Sequence, residues 1–161
     1  YHPLSHAQLN WRPAPNEWNI LQCFEHLNLT HDYYAAKIEE VLPTATPHNI
    51  GSDPYKPSFW GRIYMYFAFN PRYSFPTADE ITPNATLART VLDVYLHKQE
   101  ILRQLLAQAV DIDLVETGVN IEKGIRFNLG DCLKIMVYHD ELHIGQAGRV
   151  LDALKRSPKA I

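Results

Sequence analysis

The chain is short of several things at once, and each shortage removes a class of answer. It has two cysteines in 161 residues, Cys23 and Cys132. They make neither a disulfide framework nor a zinc-ribbon ligand set, and a reducing, cytoplasmic setting is the expectation. Cationic residues are not in excess: fifteen Lys and Arg stand against eighteen Asp and Glu, a net charge of −3, with no basic block. Neutralising phosphates takes clustered Lys and Arg, so nucleic acid is not expected as a partner. No apolar run approaches the ~20 residues that cross a bilayer, so no membrane partner is expected either. The opening YHPLSHAQLN carries no charged n-region and no apolar h-region of a secretory leader. It begins on Tyr1, and the true N-terminus is expected to be missing from it or disordered.

What the chain does have is helical periodicity, in a length that suits one domain over residues 1–161. Residues 1–9 read as the tail of a helix, broken by WRPAP at 11–15. A helix then starts at Asn19, with Gln22 three residues on in a capping-box arrangement. Its apolar stripe is Ile20, Phe24, Leu27, Tyr34, Ile38 and Leu42. Residues 43–58 hold four prolines and read as loop. SFWGRIYMYFAF, 58–69, predicts a short helix, with a strand as the alternative for so brief an apolar run. After another loop, residues 85–109 form a strong helical pattern along Leu87, Val91, Val94, Tyr95, Leu102 and Leu105. Lys98 interrupts that stripe and is expected to snorkel to water.

Residues 110–127 read as a connection. Asn128 and Asp131 then cap a last helix from Leu129 to about Lys155. Its stripe runs Cys132, Met136, His139, His143, Ala147, Val150, Leu154. The fold class expected is all-α: a four-helix bundle with its first helix only partly present, long loops, and a short extra helix around 59–69.

The stripe of that last helix poses the functional question. His139 and His143 are four apart, so they share a helix face with Cβ atoms roughly 5–6 Å from each other. Two imidazoles so placed can reach one metal ion. In a chain with eight histidines such a pair also arises without a metal. This pair, however, lies within an apolar stripe, where each unsatisfied polar group costs about 1–3 kcal/mol. A shared ion would satisfy both. The HExxH motif of metalloproteases is a poor match, since HDELH has Asp140 where the general base belongs and Glu141 at the wrong offset. A third ligand has to come from another helix. Periodicity favours His31, inside the second helix's stripe, with His26 at its flank. His97 points away from its own stripe, and His2, His6 and His48 lie in end or loop segments.

Two motifs carry a resemblance. WNILQCFEHL sets Trp18 eight residues before His26, and YHDELHIGQ sets His139, His143 and Gln146 in an HxxxHxxQ pattern. The separation between them, and the segment 110–139, also resemble the DinB-like superfamily across roughly residues 8–154. The resemblance implies a four-helix bundle holding one divalent metal, zinc or nickel, through three histidines. Carried over by position these are His26, His139 and His143, against the periodicity choice of His31.

Three protein ligands leave coordination positions open to water or substrate. The resemblance thus implies a metal-dependent thiol transferase or hydrolase, with a small-molecule substrate or low-molecular-weight thiol as partner. A non-catalytic, stress-related metal-binding module is the alternative. Thr30, Tyr33, Tyr34 and Gln146 are candidate pocket residues from helical position, with packing as the competing explanation for each. No residue offers a clear general-base role. Trp11, Trp18 and Trp60 read as core or pocket walls, the two cysteines as buried small hydrophobes. The aromatic stretch 58–75 is a candidate exposed patch, and relatives' pairing suggests a homodimer.

Overall fold

The computed structural model describes residues 1, 3–48, 55–70, 72–73, 77–122 and 124–157. Of the residues and segments singled out above, His2, residues 49–54 of the loop, residues 71, 74 and 75 of the aromatic stretch and residue 123 of the connection lie outside these. Five helices and one hairpin follow in order: α1 (His6–Leu9), α2 (Ile20–Val41), α3 (Phe59–Ala68), α4 (Val91–Gln108), β1 (Gly118–Glu122), β2 (Ile125–Asn128) and α5 (Leu129–Arg156). The fold is a helical bundle, as the periodicity requires.

Helix starts are set by side chains that the sequence displays. Asn19 accepts from the Gln22 amide at 2.8 Å while the Gln22 side chain accepts from the Asn19 amide at 3.1 Å. Asn128 and Asp131 repeat this reciprocal pairing at 2.8 and 3.1 Å, opening α5. A third box, Ser5 with Gln8, opens α1. The α1 turn therefore has its own beginning at Ser5 and is not the tail of a helix running through residues 1–9.

Two further boundaries depart from expectation. Helix α4 starts at Val91, not at residue 85. The Leu87 amide donates to Asn10 Oδ1 at 3.1 Å and its carbonyl accepts from Asn10 Nδ2 at 3.0 Å. A side chain about eighty residues away thus takes up the backbone groups that helix formation would use. Val94, placed on the buried stripe by periodicity, is 44% exposed.

The connection 110–127 contains the antiparallel hairpin β1–β2, turned at Gly124 with φ +83°. Val119, Ile121 and Phe127 point inward from it and are buried. Their alternation with polar neighbours is the period-two signal of a half-buried strand, visible in the sequence but brief.

Cross-helix pairs give the topology. Asn28 bonds the Val91 carbonyl and Asp32 pairs with Lys98, so α2 and α4 run parallel. Ile20, Phe24 and Leu27 cluster with Ala147 and Val150, and Tyr34 and Ile38 with Cys132 and Met136, an order that makes α5 antiparallel to α2. The crossover between α2 and α4 carries α3, which docks at the start of α5. There the Asp131 carboxylate accepts from Tyr55 Oη at 2.7 Å and the Ser58 amide at 3.1 Å. Gly61 sits so close that a Cβ on it would lie 2.2 Å from Asp131 Oδ2.

Two apolar clusters share the bundle. One joins Tyr34 and Ile38 to Leu102, Leu105, the hairpin and Leu129–Met136. The other joins Leu9, Ile20–Leu27, Val91 and Tyr95 to Ala147 and Val150. On α2 the gap between them falls at 28–33, on α4 at 96–101, on α5 at 137–146. Those gaps are level with one another, and Asn28, Thr30, His31 and Asp140 are buried there, with His26 just before the gap on α2.

Candidate metal centre

The polar level holds two groups of residues. The first is His26, His139 and His143. Each offers one ring nitrogen, and these lie within 4.8 Å of one another, a spacing at which the three can hold one metal ion. His26 is 4% exposed, and the other two are half-buried. The Nε2 atoms of His26 and His139 are 3.1 Å apart, and the ring centroids of all three pairs fall between 4.6 and 4.9 Å.

Second bonds orient two of the rings. His26 Nδ1 lies 2.8 Å from the Ile81 carbonyl oxygen, and His143 Nδ1 lies 2.8 Å from Gln146 Oε1. Both oxygens only accept, so both Nδ1 atoms carry the proton in the neutral rings, and each Nε2 presents a lone pair. Outer partners of this kind set the tautomer of a metal-binding histidine. His139 Nδ1 is buried without a hydrogen-bond partner among the described residues.

The fit to a cation follows from this bookkeeping. In a protein with no ion there, His139 must either leave an N–H buried and unpaired while its Nε2 lone pair faces that of His26, or donate from Nε2 and leave Nδ1 bare. A cation satisfies all the inward lone pairs at once. Burial also suits it. Desolvation lowers the pKa of His26, that of His143 to about 4 and that of His139 to about 2, the last two also through neighbouring histidines. All three are therefore neutral near pH 7, the form that binds metal.

Trp18 walls this cluster, with its ring 4.9 Å from that of His26 and 5.7 Å from that of His143. It is placed by the residue that follows it, the Asn19 cap of α2. Of the other tryptophans, Trp11 packs at the edge of the second apolar cluster, whereas Trp60 is 42% exposed and walls nothing there.

The second group is His31, Asp140 and Gln99. His31 Nε2 lies 2.9 Å from Asp140 Oδ1, and Gln99 Nε2 donates to Asp140 Oδ2 at 2.8 Å. His31 is buried because it binds a carboxylate on α5, not because it belongs with His139 and His143. Position on the stripe thus misidentified the third member of the cluster, and a polar partner on another helix accounts for the error. Asp140 and Gln99 were not anticipated as a pair. No local signal marks them, because α4 and α5 both carry many polar residues and which of these meet depends on how the helices dock.

The structure brings Gln146 to the cluster. Thr30 bonds the carbonyl of His26, one turn back, at 2.8 Å, so its hydroxyl serves the backbone that carries that ring. Tyr33 and Tyr34 are not brought there. Tyr33 Oη donates to the Ile121 carbonyl at 2.9 Å, and Tyr34 lies in the first apolar cluster. His97 is exposed and His6 bonds the Leu87 carbonyl. Cys23 and Cys132 are both free and fully buried, in different apolar clusters.

A helical bundle whose middle level gathers three neutral imidazoles around a point fit for one ion is the class this fold and site define. The chain belongs to the DinB superfamily, whose family profile matches residues 2–147. No curated protein and no solved structure gives a match. Among the described residues no helix is long and apolar enough to cross a membrane.

Proposed function

We propose that the protein binds one divalent metal ion, zinc or nickel, through His26, His139 and His143, and uses it as a metal-dependent thiol transferase or hydrolase on a small molecule. The observation that carries the reading is the convergence of three ring nitrogens within 4.8 Å, two of them from rings oriented by an accepting oxygen on the far nitrogen. A divalent ion with three protein ligands supplies Lewis acidity and an open position where water or a thiol is acidified.

The chain's own residues shape what can occur there. Ile81 and Gln146 hold two imidazoles in the donor tautomer, and Trp18 keeps one side apolar. Neither cysteine supplies a nucleophile: burial pushes both thiols up to about 12, so they stay protonated. A thiol in the reaction therefore enters as a small molecule. A second reading, a non-catalytic metal module, draws on a specific observation. The nearest buried carboxylate, Asp140, is committed to His31 and Gln99.

The test is elemental analysis of untagged protein, followed by assay. Wild type and His31→Ala should carry about one divalent ion per chain, and His26→Ala and His143→Ala should carry none. Conjugation of a low-molecular-weight thiol to an electrophile, or hydrolysis of amides and esters, should then depend on the ion. Metal binding with no turnover across such a panel would favour the non-catalytic module. Wild type that binds neither zinc nor nickel would sink both.

A further inference from the structure

A second concave surface lies on another face of α5. Arg62, Met65 and Tyr66 of α3 and Phe69 at its C-terminal cap face Lys134 and Tyr138 of α5 across a groove of about 400 Å³. The α3 spacing is i, i+3, i+4, i+7 and the α5 spacing i, i+4, so each helix contributes one continuous face. Tyr138 is 44% exposed, while its chain neighbour His139 turns inward toward α2. The groove therefore does not belong to the three-histidine cluster.

Its walls are fixed by packing. Gly61 holds α3 against Asp131, the Tyr64 ring meets Phe127 at 5.7 Å, and the Phe69 ring meets Tyr138 at 5.6 Å. Its charge is of one sign. Lys134 Nζ lies 5.5 Å from the Tyr55 ring centre and 5.6 Å from that of Tyr138, a placement that positions the ammonium without neutralising it. Arg62 is exposed, and among the described residues no carboxylate pairs with either cation. The volume falls in the usual range for small-molecule pockets, roughly 300–1,000 Å³. From Arg62 to Phe69 the helix rises about 10 Å, the length of a two-ring aromatic body.

We propose that this groove binds a small organic anion with a flat apolar body, its carboxylate between Arg62 and Lys134 and its rings against Met65, Phe69 and Tyr138. The apolar floor supplies area but does not choose between ligands. The two cations do, because they favour an anion over a neutral molecule of the same shape.

The probe is 2-naphthoate, with 2-naphthylmethanol as its neutral counterpart, titrated calorimetrically into the full chain as purified and after chelator treatment. Naphthoate should bind one per chain in both preparations, and more tightly than the alcohol. Arg62→Gln and Lys134→Gln should each weaken naphthoate about tenfold, the effect of losing roughly 1.4 kcal/mol, and leave the alcohol unchanged. Met65→Trp, which fills the floor and keeps both charges, should weaken both probes. Equal affinity for the two probes would overturn the proposal, as would naphthoate binding that ignores both charge substitutions. Binding that vanishes on chelator treatment would place the anion on the histidine cluster instead. A stable dimer in sedimentation that dissociates on Tyr138→Glu would show that a second copy of the chain fills the groove, and the proposal would fail.

Discussion

His26 and His139 face each other from antiparallel helices with their Nε2 atoms 3.1 Å apart, and burial keeps both neutral. Two uncharged imidazoles at that distance share either a proton, donated from one Nε2 to the other, or a cation that takes both lone pairs. The oriented His143 beside them makes the three rings a group that could hold one metal ion.

Gln146 should matter without touching the ion. Its amide oxygen takes the Nδ1 proton of His143, so Gln146→Ala frees that ring to rotate and change tautomer. Affinity should fall about 10–100-fold, the usual effect of losing an outer partner of a metal ligand. Stoichiometry at saturating metal should stay at one. Competition against a chromophoric chelator measures both, and an unchanged affinity would remove Gln146 from the site.

Acid should weaken the metal-free chain. In the unfolded chain a histidine titrates near ~6.5, but in the fold His143 is lowered to about 4 and His139 to about 2. Folded-state values are depressed, so between those limits the unfolded chain holds more protons than the folded one. Stability is then full above the unfolded value and is lost as pH falls from about 6.5 toward 4. Urea unfolding with chelator present should give a lower midpoint at pH 5 than at pH 7.5. A midpoint independent of pH over that interval would contradict the buried, neutral assignment.

Asp140 should act as a structural acceptor. Asp140→Ala leaves His31 and Gln99 without their shared partner inside the bundle. Stranding a buried polar group costs about 1–3 kcal/mol. Asp140→Asn keeps one accepting oxygen and should cost less than the alanine change. The order of the two in denaturant titrations is the check.

Gly61 should resist even the smallest side chain. A Cβ there would lie 2.2 Å from Asp131 Oδ2, and that carboxylate is pinned by Tyr55, Ser58 and Asn128. Gly61→Ala should destabilise the fold by about 1–3 kcal/mol, the usual range for overpacking, despite alanine's better helix propensity. Thermal unfolding of this variant beside Gly148→Ala, a helical position with open space around it, separates the two effects.

The starts of α2 and α5, the stripes that face the interior, and the i, i+4 histidine pair are all local properties of the chain. A capping box spans four residues and a stripe repeats every three or four, so the sequence by itself determined them. The pairing of histidines between helices is not local. His26 and His31 lie on one helix within five residues, and both are buried; periodicity ranks His31 first. Only the docking of α2 on α5 decides that His26 meets His139 while His31 meets Asp140, because that choice depends on helix rotation and axial offset, which no periodicity encodes. The late start of α4 has the same origin: Asn10 takes the Leu87 backbone across the fold. Long-range hydrogen bonds and close approaches fixed these features, as they fixed the groove between α3 and α5, whose two walls are some seventy residues apart in the chain and become one surface only once Gly61 lets the helices touch.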